Sequence, residues 1–330
     1  MKRRDFLGTL LGSLASAPCL LPERANAEPA QKPVVIGILG AQNEASQGRL
    51  WKEFVERLRA MGWIERQNIV FEYRWADAHN ERFGQIAAEF VRLNVDLIAT
   101  SSTPTVIAAK QATSSIPIVF ANASDPVANG LVASLSRPGG NATGLSTQLA
   151  DSASKRIGLL REIAPGIRRL AIMAYTDDPA ATREAKEADA VARRLGLDVL
   201  APVIRSVDDI EPAFNAVKGQ ADGLYFCNSN LFNTRRRQIV SLTVAAKLPA
   251  VYDSYGFVDL GGLISYGPNG SALFRRAAEL VDKILRGATP ADIPVEQPTE
   301  FIMAANTAAA KALGVEIPQT LLLQADRIVE

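Results

Sequence analysis

Histidine and cysteine are almost missing from this chain: His79 is the only histidine, and Cys19 and Cys227 are the only cysteines, in 330 residues. One histidine gives imidazole acid–base catalysis a single candidate, and His79 sits in the polar run Asp77-Ala78-His79-Asn80-Glu81, which reads as a solvent-exposed turn. Cys19 falls in an N-terminal leader, so Cys227 is left without an intrachain disulfide partner and reads as a small buried hydrophobe. The G-x-S-x-G elbow, H-E-x-x-H, the Walker loop and the dinucleotide glycine fingerprint are also absent. No grouping of side chains reads as a metal site. The expectation is a protein that is not an enzyme and needs no cofactor or metal.

Charge of one sign is lacking as well. The formal net charge is +1, and losing the leader removes four bases (Lys2, Arg3, Arg4, Arg24) and two acids (Asp5, Glu23), which turns it to −1. A nucleic-acid partner demands a basic face, so none is expected. Beyond residue 27 no apolar run approaches the roughly 20 residues that cross a bilayer, and a chain that does not span the membrane is expected.

What is present starts at the N-terminus. Arg3-Arg4 precede Phe6-Leu7, a mildly apolar run extends from Leu10 to Leu21, and Ala25-Asn26-Ala27 offers the small residues a signal peptidase reads. The apolar run is short and broken by Gly12, Ser13, Ser16 and Pro18, so it reads as a removable signal over residues 1–27. The arginine pair resembles the twin-arginine export motif, with Lys2 where serine is commoner, so the general export route stays open. A periplasmic location is the consequence. Pro18 before Cys19 fits poorly with lipid attachment.

The mature part alternates strand and helix. Val34–Leu39 is a short apolar run of the kind buried on both faces, and Trp51, Phe54, Val55 and Leu58 then recur at helical spacing up to Gly62. Strands come next at 68–75, 95–99 and 117–121, with a helical stripe from Phe83 to Val91. The rhythm restarts at Arg168: strand 169–174, helix 179–195, strand 197–203, helix 207–218, strand 222–226, helix 233–247, strand 249–252. Such alternation predicts an α/β fold with parallel sheets covered on both faces. Two Rossmann-like lobes are expected, the first over 28–146 plus 267–288 and the second over 147–266 plus 289–330, joined by three crossing strands that form a hinge.

In open α/β sheets, ligands sit at the carboxyl ends of strands, beside helix N-termini. After strand 95–99 stand Ser101, Ser102 and Thr103 with Pro104, where Thr103 suits an N-cap and Pro104 a first helical position. Capping needs only one of these hydroxyls, and three together make a donor bed for an anionic group. Asn122 comes directly after strand 117–121. In the second lobe Tyr175, Asn228, Tyr252 and Asp253 fall at strand ends, with Asp253 placed to hold an ammonium group. Aromatic residues with a hydroxyl handle suit a planar ligand. Arg235-Arg236-Arg237 read first as a solvated face, with the alternative that one of them meets an acid or anion across the cleft.

Ordered segments along nearly all of the mature chain carry a family resemblance. They include Ser101-Ser102-Thr103-Pro104, Ser124-Asp125-Pro126-Val127, Pro138-Gly139-Gly140-Asn141-Ala142-Thr143-Gly144, Gly261-Gly262-Leu263-Ile264-Ser265-Tyr266-Gly267 and Ala312-Leu313-Gly314-Val315. The chain resembles the tryptophan/tyrosine-type substrate-binding proteins of ABC importers. The resemblance implies a type I periplasmic-binding-protein fold, capture of a small ligand such as an amino acid in the interlobe cleft, delivery to an ABC transporter permease, and action as a monomer. Presentation of the ligand to a membrane sensor is the alternative.

Overall fold

The computed structural model of the chain describes residues 32–330, so the export signal expected in residues 1–27 lies outside the described residues. The first sheet is built on valine- and isoleucine-rich runs. β1 (Val34–Gly40) is an interior strand and mostly buried. α1 (Glu44–Ala60) buries Trp51, Phe54 and Leu58 on one face and starts at Asn43, whose carboxamide oxygen accepts the Ser46 N–H at 2.9 Å. β2 (Ile69–Trp75), α2 (Asn80–Arg92), β3 (Leu97–Thr100), α3 (Thr103–Ala112), β4 (Ile118–Ala123) and β5 (Ala142–Ser146) complete the unit. Its five strands are parallel, in the order β2-β1-β3-β4-β5.

The second sheet takes the later units: α4 (Ala153–Ile163), β6 (Arg169–Tyr175), α5 (Pro179–Arg194), β7 (Asp198–Leu200), β8 (Val203–Ile204), α6 (Ile210–Val217), β9 (Gly223–Phe226), α7 (Asn230–Thr234), α8 (Arg236–Ala246), β10 (Ala250–Tyr252), α9 (Tyr255–Val258) and β11 (Ile264–Pro268). α10 (Gly270–Leu285) returns to the first sheet, and β12 (Phe301–Asn306), α11 (Thr307–Leu313), α12 (Gln319–Leu322) and β13 (Arg327–Val329) finish the second. The order is β13-β12-β11-β10-β9-β6-β7, with β8 beside β6. β11 and β12 run antiparallel while the other pairs are parallel, because β11 leaves this lobe and β12 comes back into it. Each sheet has an apolar core on both faces. α10 belongs to the first lobe's core: Phe274 meets Trp51 edge-on at 4.9 Å, and Asp282 accepts the Trp63 indole N–H at 2.8 Å.

Several elements differ from the sequence-based expectation for local reasons. The strand expected at 197–203 is cut at Ala201-Pro202, since proline brings no N–H to a ladder. The helix expected at 233–247 is two helices that meet at Arg235, and it begins earlier, with Ser229 accepting the Phe232 N–H at 3.1 Å. Ser102, not Thr103, is the N-cap residue of α3. Residues 293–296, placed with the second lobe from sequence, run along the first: Val295 donates its N–H to the Leu135 carbonyl at 2.8 Å, and Glu296 exchanges hydrogen bonds with Gly144 and Ser146 at 3.0 and 2.8 Å.

The chain therefore crosses between sheets three times, after β5, after β11 and before β12. Gly267 lies at the second crossing, where an added Cβ would stand 1.8 Å from the carbonyl oxygen of Asp253. Gly267→Ala is expected to cost about 1–3 kcal/mol or more by urea denaturation, because the clash is with backbone. Gly84→Ala, at an exposed helical position with nothing within 4 Å, is expected to add about 0.5–1 kcal/mol instead. Equal effects from the two substitutions would contradict this packing.

Candidate functional site

Strained backbone marks the carboxyl edge of the first sheet. Asp77 and Ala78 after β2, Ser102 after β3, Asp125 after β4 and Gln148 after β5 all have positive φ without being glycine. Conformations of this kind persist where surrounding structure enforces them, most often at ligand sites. Ser102 is the extreme case, at φ 85° and ψ 148°. Its N–H is held by Asn122 alone, through the backbone oxygen at 2.8 Å and the side-chain oxygen at 2.9 Å.

The three hydroxyls expected to form one donor bed have separate tasks. Ser101 is fully buried and accepts the Gln47 carboxamide at 2.7 Å. Thr103 is also buried, and its hydroxyl donates to the Ser124 carbonyl at 3.2 Å and accepts the Ser124 N–H at 3.0 Å. Both hydroxyls staple the strand ends together, a task the sequence-based reading did not foresee. Ser102 alone keeps a half-buried hydroxyl at the lobe interface. In the first turn of α3 the Ser102 amide is taken and Pro104 has none, which leaves the Thr103 and Thr105 amides with no acceptor among the described residues.

The second lobe brings Tyr175, Asn228 and Asp253 to its facing edge, but not Tyr252. Tyr252 is wholly buried, stacked between Phe226 at 5.1 Å and Phe257 at 4.7 Å, and is a core residue. A β-strand turns alternate residues to opposite faces, so Asp253 is set apart from its neighbour. Asp253 accepts a short hydrogen bond from the Asn228 carboxamide. Burial pushes its carboxyl above the usual range, opposed by the Asn228 bond and the Arg156 charge.

Beneath this edge lies an ion pair that sequence reasoning missed. Arg156 of α4 donates to Glu184 Oε1 of α5 at 2.7 Å, with both side chains essentially inaccessible. Arg156 also donates to the carbonyls of Phe226 and Leu149 at 3.3 and 3.0 Å, and it lies over the Tyr225 ring at 4.6 Å. Glu184 further accepts the Tyr225 hydroxyl at 3.1 Å and, through Oε2, the Asn228 N–H at 3.1 Å. A signal existed: Arg156 falls in the stripe Ala153, Ile157, Leu160, and Glu184 in the stripe Ala181, Ala188, Val191, so each charge interrupts a buried helix face.

Polar groups of the two lobes meet directly. Asn230 donates to the Ser102 hydroxyl at 2.9 Å, and Asn80 donates to the Tyr175 hydroxyl at 3.2 Å. Arg236 donates to the Ser46 carbonyl at 3.2 Å, Arg49 to the Tyr255 hydroxyl, and Arg183 pairs with Asp125 at 2.9 Å. The lobes are thus closed on each other. Arg236 serves this closure through a backbone carbonyl and not through an acid across the cleft; Arg235 and Arg237 have no such contact among the described residues.

Comparisons with known proteins bear on this arrangement. The model of the family described as ABC transporter substrate binding protein matches residues 39–329. A tyrosine-binding protein of Clostridioides difficile (strain R20291) is 28% identical over 281 residues, covering 85% of this chain and 81% of that one. Among solved structures, the ABC domain in complex with L-Trp from Streptococcus pneumoniae has a TM-score of 0.84 at 22% identity, covering 90% of this chain and 100% of that one. A ligand-free, open structure of a substrate binding protein with adhesive properties from Clostridium difficile has a TM-score of 0.65 at 28% identity, covering 90% and 99%. The score is lower against the open structure although the identity is higher, as expected when one lobe is rotated away from the other.

Two measurements check the site's energetics. Asp178 caps α5, accepting the Ala180 and Ala181 amides at 2.9 and 3.3 Å, and burial raises its pKa to about 6 from 3.8. The folded state then holds this proton more tightly than the unfolded chain, so its contribution is greatest below pH 3.8 and is lost as pH rises through about 6. Asp178→Asn keeps an acceptor for the cap, and it is expected to melt above wild type at pH 8 with the gap closing at pH 4. Separately, Ser102→Gly is expected to raise stability by about 1–3 kcal/mol in chemical denaturation, through relief of backbone strain.

Proposed function

The chain belongs to the ABC transporter substrate-binding protein family, a family of solute-binding proteins and not of enzymes, and from that premise we propose that it captures an amino acid between its lobes for an ABC importer. What supports this reading is that each lobe brings one polar end of opposite character to its facing edge, beside the Asn230–Ser102 contact that joins them. On one side the buried amides of Thr103 and Thr105, without an acceptor among the described residues, sit at the positive end of α3, suited to a carboxylate. On the other, Asp253 is a buried carboxylate with Asn228 as its side-chain donor and no cationic partner among the described residues. An α-amino acid carries both complements. Ser102, Asn230, Asn80 and Tyr175 close the lobes around it.

An aromatic side chain on the ligand is the narrower part of the proposal. It rests on the relatives, one a tyrosine-binding protein and one solved with L-Trp bound. The partner is a membrane permease, which reads the closed form because ligand biases a two-state hinge. The protein acts in the periplasm after export, with the twin-arginine motif of Arg3-Arg4 as the route. Among the described residues no helix is long and apolar enough to cross a membrane.

Calorimetric titration of residues 28–330 with L-tyrosine, L-tryptophan, L-phenylalanine and L-leucine tests this. One-to-one binding is expected for at least one aromatic amino acid, and silence across the panel would remove the ligand class. Asp253→Asn is expected to cost about 1.5–3 kcal/mol, roughly tenfold to a hundredfold in Kd, as the charge-assisted bond to the ammonium is lost. Unchanged affinity would remove the Asp253 assignment.

A further inference from the structure

The Arg156–Glu184 pair has more contacts than a structural staple requires. Buried ion pairs are commonly neutral for stability against apolar replacements of the same size, so stability alone is a weak account of this one. Its layout is directional instead. Glu184 reaches the Asn228 N–H with Oε2, which fixes the backbone from which the Asn228 carboxamide reaches Asp253 Oδ2. With Oε1 it engages Arg156, whose remaining acceptors are the carbonyls of Leu149 and Phe226. Asp253 is therefore left without the nearest positive charge. The cluster holds two carboxylates and one guanidinium, and the charge it lacks is a single cation at Asp253.

We propose that Glu184, braced by Arg156, is a positioning residue that orients Asn228 and keeps Arg156 away from Asp253, so that Asp253 selects ligands bearing an ammonium group. The proposal rests on the amino-acid reading above and adds the residues that enforce it. Arg156 also ties the first crossing, through the Leu149 carbonyl, to the same cluster. A neutral residue at 184 releases Arg156 toward Asp253, the other carboxylate whose charge acts on it, and the site then loses most of its preference for a ligand with the amine.

The test is a discrimination ratio, which general loosening of the lobe does not move. L-tyrosine and its des-amino analogue 3-(4-hydroxyphenyl)propanoate are titrated against wild type, Glu184→Gln and the double variant Arg156→Met/Glu184→Gln. Wild type is expected to prefer L-tyrosine by about thirtyfold or more, the scale of one charge-assisted contact. Glu184→Gln is expected to cut that preference to about threefold or less by weakening L-tyrosine alone, and the double variant to restore it, because no guanidinium remains to neutralise Asp253. An equal loss for both ligands in Glu184→Gln, or an intact preference, overturns the proposal. Should Glu184→Gln fail to fold, Glu184→Asp keeps the charge but falls short of the Asn228 N–H, and an unchanged preference there overturns it equally. Wild type without any preference overturns the Asp253–ammonium reading itself, which separates the two failures.

Discussion

Parallel β-α units place every strand's carboxyl end on one edge of a sheet, and in this chain two such edges face each other. The binding surfaces are built under that constraint. Strand ends release the backbone from its ladder, helix starts leave amides without partners, and the residues able to satisfy them are serine, threonine, asparagine and aspartate. Three crossings fix the facing of the two edges, and glycine at 267 lets the second crossing run against the backbone of Asp253. The cleft and the hinge are consequently one construction.

Closure is lightly held. Its hydrogen bonds each contribute on the order of 0.5–1.5 kcal/mol net, and the Arg183–Asp125 pair, with about half of each side chain exposed, adds little. A closed form held by a few such contacts is sensitive to ligand, since a ligand shifts a two-state equilibrium only by its differential affinity. The costly elements lie behind the facing surfaces. The strained backbone at Ser102 and the desolvated charges of Arg156, Glu184 and Asp253 are maintained by packing and by Asn122 and Asn228, so the polar groups proposed to meet the ligand are already held in place.

The fold was largely legible in the sequence because buried parallel strands and amphipathic helices write distinct periods. Val34–Gly40 and the Trp51, Phe54, Leu58 stripe are examples. Misreadings occurred where a local rule was overridden: Pro202 splitting a strand, and Ser229 starting a helix three residues early. The site was legible only in part. Position at a strand end singles out Ser102, Tyr175, Asn228 and Asp253 as candidates, but it does not say that Ser101 and Thr103 spend their hydroxyls on Gln47 and Ser124, or that Tyr252 points into an aromatic stack. Those facts depend on partners distant in sequence. Arg156 and Glu184 belong to helix stripes far from any strand end, and a search for polar strand ends passes over them.

The most direct measurement is the crystal structure of the mature protein as purified, without added ligand or denaturation. The account expects closed lobes with density for a small zwitterion between them, its carboxylate at the Thr103 and Thr105 amides and its ammonium on Asp253. Closed lobes around an uncharged or purely apolar molecule, or a ligand held with Asp253 turned away into an ion pair with Arg156, would contradict it.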